Sequence, residues 1–70
     1  MAAHHVVDTG VKSWVPLLRS PHPSSTIAAL ITNGTRVRVK RTGKWNQVEI
    51  LSGKHAGKVG WITGDVLKPE

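Results

Sequence analysis

Three tryptophans, ten lysines and arginines, and four histidines are the side chains with chemistry to offer in this sequence of 70 residues. Trp14, Trp45 and Trp61 are its only aromatics, since Tyr and Phe are absent. A tryptophan on a small domain either offers a flat face to a peptide, a glycan or a base, or fills a core or rim position. Trp61 follows Gly60, whose missing side chain leaves room for another group to approach the ring. Trp45 comes just after Gly43-Lys44 and is the natural partner of Trp61, while Trp14 lies near the beginning and suits the cover of one end of the domain.

The basic residues fall into two sets. Arg36, Arg38 and Lys40 alternate with Val37 and Val39, with Arg41 beside the end of the row. Lys44, Lys54 and Lys58 punctuate the segments around the tryptophans. Ten basic residues against four acidic ones give a net charge of +6, which makes an anionic surface such as nucleic acid a partner to consider. Arg36, Arg38, Lys40, Lys54 and Lys58 would then meet phosphates, each contact adding a salt-dependent increment of affinity. The alternative is a solvated face that keeps the protein in solution.

Catalysis and metal binding find little support. Cysteine is absent, which removes disulfides, thiolate nucleophiles and Cys-containing zinc sites. His4-His5, His22 and His55 have no carboxylate or second ligand at a recognisable spacing, and Asp8, Glu49, Asp65 and Glu70 offer no paired-carboxylate spacing. Neither a nucleophile elbow nor a phosphate loop occurs. A chain this short buries only about 60% of its unfolded surface, so few groups can be held rigidly enough for a preorganised site. The expectation is a protein that is not an enzyme, with no cofactor and no metal.

These side chains must be positioned by short strands. Turn signals recur from residue 26 onward at Asn33-Gly34, Thr42-Gly43, Ser52-Gly53, Ala56-Gly57 and Thr63-Gly64-Asp65. Between them lie runs of five to seven residues rich in Val, Ile and Thr. The clearest strand is 35–41, apolar on one face and basic on the other. Asn33-Gly34 before it suits a tight turn with positive φ, a strong hairpin cue. Strands are also expected at 45–51 and 58–63, and upstream at 14–19 and 27–31, with a single 3-10 turn at 64–67. Residues 1–12 lack sustained periodicity and read as a flexible leader, leaving 13–68 as the domain. Five short strands at this length fit an all-β, small closed or nearly closed barrel. No run approaches the roughly 20 apolar residues of a membrane span, and the first residues lack the pattern of a secretory signal. Cytoplasm is the default compartment unless the chain is a fragment of a secreted protein.

Several segments together resemble a bacterial Src-homology-3 (SH3b) domain. Leu18-Arg19-Ser20-Pro21 with Pro23-Ser24-Ser25 and Ile27 is similar to the family's Arg-Ser-Gly-Pro stretch and its long loop. Residues 31–39 (ITNGTRVRV) are similar to its turn-and-strand passage. Trp45 to Val48, then Gly57-Lys58-Val59-Gly60-Trp61-Ile62 and Val66-Leu67, resemble its Trp…Val…Gly…Gly-Trp…Leu pattern. The resemblance spans roughly residues 13–68. It departs where Pro21-His22-Pro23 replaces the glycine after Arg-Ser, and where Asn46 replaces an aromatic. The tyrosine-rich polyproline groove of eukaryotic relatives cannot form in a chain without tyrosine. The resemblance implies a five-stranded barrel with a short 3-10 turn. It also implies recognition of cell-wall peptides, peptidoglycan or a protein partner in a shallow groove between the long loop and the tryptophans. Trp45, Trp61, Arg19, His22 and Asn46 are the groove residues so implied. A looser resemblance covers 48–62 (VEILSGKHAGKVGWI), which is similar to a KOW motif and implies contact with RNA or protein. A structural or oligomerising domain without a dedicated ligand is the third alternative.

Overall fold

The computed structural model describes residues 3–10 and 13–69. The described residues form seven strands: β1 (Ala3–Val7), β2 (Trp14–Leu18), β3 (Ile27–Thr32), β4 (Arg36–Arg41), β5 (Trp45–Ile50), β6 (Val59–Thr63) and β7 (Leu67–Pro69). One 3-10 turn, Gly64–Val66, separates β6 from β7. All seven strands belong to one antiparallel sheet in the order β3-β2-β6-β5-β4-β1-β7, curled into a half-barrel. The all-β reading and the 3-10 turn are as the sequence indicates, and β2 to β6 fall where five strands were expected. The strand count is seven rather than five.

The two added strands come from the ends. Residues 3–7, expected as part of a flexible leader, form β1, which pairs with β4 on one side and β7 on the other. Val7 at its end is 1% exposed and joins the core. The first two residues of the expected leader, and residues 11 and 12, lie outside the described part. β1 has a physical reason to sit there. Without it, the inner-facing Val37 of β4 would lie on a sheet edge, and Leu67 of β7 would have no strand neighbour.

Alternation along each strand sends one row inward. Val7, Leu17, Ala29, Ile31, Val37, Val48, Ile50, Ile62 and Leu67 make a single cluster to which every strand contributes. Burying each of the larger members stabilises the fold by about 1.5–3 kcal/mol. Among the described residues, no polar or charged residue is buried with them. The core therefore specifies a shape and holds no chemistry.

Asn33-Gly34 makes the expected turn, with Gly34 at φ 87°, but not a hairpin. β3 and β4 are not neighbours; among the described residues, β3 pairs only with β2. The turn is instead captured by β1: the Gly34 N–H donates to the Val7 carbonyl at 2.9 Å, and the Val7 N–H donates to the Thr35 carbonyl at 3.0 Å. The chain thus crosses from one edge of the sheet to the far side of its middle.

Pro16 lies inside β2 and lacks an N–H to donate. The Asn33 N–H donates to the Ser13 carbonyl at 3.2 Å, and antiparallel ladders alternate bonded and non-bonded pairs. Pro16 opposite Leu30 is then a non-bonded pair, so no β2–β3 ladder bond is lost. On its other side β2 pairs with β6 at Leu18–Trp61.

Candidate functional site

The outer face of the sheet carries what the core does not. Trp61 is directly opposite Gln47 on β5 and Leu18 on β2. Trp45 is opposite Thr63, which makes it the diagonal neighbour of Trp61 on the same face, about 7–8 Å away in backbone terms and within reach of a large aromatic. Both tryptophans are half-buried and neither belongs to the core cluster. Leu18, 7% exposed yet outside that cluster, is the outer-face residue that Trp61 adjoins. Ile27, opposite Leu18, is 52% exposed and extends the apolar row onto β3. Trp14 is 44% exposed on β2, opposite Thr32.

Gly60 is small for a reason other than access to Trp61. A Cβ built on it would lie 2.5 Å from Leu17 Cγ and 2.8 Å from the Leu18 carbonyl oxygen. The room left by the missing side chain is filled from within, by β2 packing down on β6.

Of the remaining groove residues, Asn46 falls on the opposite face, and Arg19 and His22 belong to the 19–26 loop and its base. Asn46 shares its side of β5 with Val48 and Ile50, the face opposite Trp45, and its Oδ1 accepts the Gly43 N–H at 3.1 Å. It pins the β4–β5 turn. His22 is exposed in the 19–26 loop, where its N–H donates to the Ser20 carbonyl at 2.8 Å and its own carbonyl accepts the Ser25 N–H at 3.0 Å. Arg19 follows Leu18 and holds the base of that loop through its N–H to the Thr26 carbonyl at 3.0 Å. It borders a cleft shared with Ala28, Lys58 and Val59, the last on the same face of β6 as Trp61.

The basic ladder on β4 is also altered. The register shifts between Val39 and Arg41, so Arg41, not Lys40, stands opposite Gln47. Lys40 is the extra residue of a bulge, a feature that rotates a side chain without any local sequence signal. Arg38 is ion-paired with Glu49 directly across on β5. Lys54 and Lys58 lie on the 51–58 connection and do not continue the ladder. The Arg38–Glu49 pair is half-exposed, so Glu49→Gln is expected to cost less than about 1 kcal/mol in urea unfolding, with the difference shrinking in high salt.

His4 and His5 point to opposite faces of β1, which prevents them from sharing a metal. His5 is half-buried, and its Nδ1 has no hydrogen-bond partner among the described residues. No group of three or more histidines and carboxylates converges among the described residues. No helix among them is long and apolar enough to cross a membrane. Compared with protein families, curated proteins and solved structures, the chain finds no match.

Proposed function

We propose that this protein is a non-catalytic binding module of the bacterial Src-homology-3 type, taking a peptide, protein or cell-wall segment across the outer face of β5 and β6. In this reading β2 to β6 and the 3-10 turn supply the five-stranded barrel plan, with β1 and β7 closing one side. One observation carries the proposal: two half-exposed tryptophans sit as diagonal neighbours on adjacent strands, outside the core that would otherwise account for them. Trp61 rests beside Leu18, which stiffens the platform and lowers the ordering cost of binding. Arg41, opposite Gln47 on the same row, puts a cation at the end of the aromatic face.

The test is retention on purified peptidoglycan and on immobilised protein candidates, comparing wild type with Trp61→Ala and Trp45→Ala. Loss of retention by about tenfold or more in either variant is expected for an aromatic anchor. Equal retention by all three proteins removes the outer-face groove. The nucleic-acid alternative ranks second because Glu49 engages the central arginine of the β4 ladder and the loop lysines lie elsewhere. It predicts binding of single-stranded or duplex nucleic acid with a steep salt slope.

A further inference from the structure

Of the two edges of the sheet, one is guarded and the other is not. β7 is three residues long and carries Lys68 and Pro69, both of which discourage further strand pairing. β3 is six residues long, Ile27–Thr32, with no charge and no proline. The alternation that spares Pro16 also fixes which backbone groups β3 leaves unpaired. Ile31 and Ala29 face β2 through bonded pairs, so Leu30 and Thr32 turn their backbone groups to the open side. The Thr32 carbonyl is taken by the Thr35 N–H at 3.2 Å, which leaves the Leu30 N–H, the Leu30 carbonyl and the Thr32 N–H without a backbone partner among the described residues.

Those groups border a cleft. One wall is Leu30 and Thr32; the other is the start of the 51–58 connection, with Ser52, Lys54 and His55. A second cleft has Ala28 of the same strand on one side and Lys58 with Val59, the first residue of β6, on the other, with Arg19 beside it. Both therefore run between β3 and the 51–58 connection. Their walls hold Arg19, Lys54 and Lys58 and, among the described residues, no carboxylate. None of the three cations has a salt-bridge partner among the described residues.

We infer that the free edge of β3 accepts an extended segment of another polypeptide as an added antiparallel or parallel strand, and that this segment alternates apolar and acidic residues. The backbone edge supplies the affinity common to strand addition. Side chains on the outer side of the added strand would lie beside Leu30 and Ile27, which are 48% and 52% exposed. Those on the inner side would face the wall bearing Lys54 and His55. Charge selects the occupant: a second copy of a chain carrying +6 would be repelled, whereas an acidic segment would be drawn in. This surface shares Ile27 with the apolar row that runs from Trp61, but its backbone edge belongs to β3 alone, and the inference stands without the tryptophans.

The probe is a synthetic eight-residue peptide of alternating valine and glutamate, titrated into the full chain while backbone amide resonances are recorded. A peptide of alternating valine and lysine serves as the comparison. Saturable shifts centred on Leu30 and Thr32, given by the glutamate peptide alone, are expected. Leu30→Pro removes the outward N–H without touching the β2–β3 ladder and should weaken binding about tenfold, while Leu30→Ala, which keeps the N–H, should retain most of it. The double variant Lys54→Glu with Lys58→Glu should weaken binding by a similar factor and needs no change to the strand. Trp61→Ala should leave the affinity within about twofold, which separates this site from the outer-face groove. No saturable shift up to about 1 mM peptide overturns the inference. So does equal binding of the lysine peptide, a response centred on β5 and β6 that Trp61→Ala abolishes, or self-association through β3 in the absence of peptide.

Discussion

Gly60→Ala is expected to lower stability by about 3 kcal/mol, the upper end of what overpacking costs. The added methyl would lie 2.5 Å from Leu17 Cγ and 2.8 Å from the Leu18 carbonyl oxygen. Leu17 is fully buried at the centre of the core, and the carbonyl belongs to backbone, so neither can step aside cheaply. In a domain this size the loss corresponds to a fall of roughly 15 °C in Tm. Gly43→Ala is the control. Its Cβ would find nothing nearer than the Trp45 carbonyl oxygen at 3.6 Å, an ordinary contact, and its Tm should move by no more than a few degrees. Thermal unfolding followed by tryptophan fluorescence distinguishes the two. A Tm for Gly60→Ala equal to that of Gly43→Ala would mean that β2 does not pack on β6 as described.

Removing residues 1–8 should abolish cooperative unfolding altogether. The deletion takes Val7 from the core and strips the ladder partners from Val37 and Val39 on β4 and from Leu67 and Lys68 on β7. It also opens the turn at Asn33-Gly34, whose backbone bonds to Val7 would be lost. Val7→Ala, a milder change, should cost about 2 kcal/mol through lost burial and the cavity left behind. A shortened chain that melts at the wild-type temperature would show the segment to be dispensable after all. Circular dichroism and a thermal scan of both variants decide the matter.

The middle of the sheet was legible because its residues announce themselves locally. β4 alternates basic and apolar from Arg36 to Lys40, and its valines do face the core. β5 and β6 show the same pattern through Val48, Ile50 and Ile62. β1 gave no such sign. Ala-His-His-Val-Val has no period of two in hydropathy, and its partners, β4 and β7, lie far along the chain. Pairing at that distance leaves no trace in a short window. The bulge at Lys40 escaped for a related reason, since nothing in Arg-Val-Arg-Val-Lys-Arg marks which residue is extra.

At the site, the residue types were informative and their facing was less so. Trp45 and Trp61 were paired from sequence, and strand register brings them to one face. Asn46 was grouped with them because it stands where the resembled family carries an aromatic, whereas its place next to Trp45 in a strand puts it on the opposite face. Gly60 was read as an opening beside Trp61, yet the side chain that needs its space, Leu17, comes from another strand. The free edge of β3 could not be seen at all without knowing the strand order. An Asn-Gly turn suggested that β3 and β4 were partners, which would have hidden that edge.

The placement of β1 between β4 and β7 has a kinetic meaning. During synthesis, β1 emerges ahead of the other six described strands and must wait longest for its second neighbour, since His5 pairs with Pro69. β4 to β6 can assemble as consecutive hairpins while they emerge, but the sheet they form ends on an edge that only β1 covers. Topologies dominated by such distant pairings fold slowly and expose strand edges while they do so. Nascent chains stalled before residue 67 would thus carry a formed centre and an unfinished rim, the state in which this small protein is most exposed to misassembly.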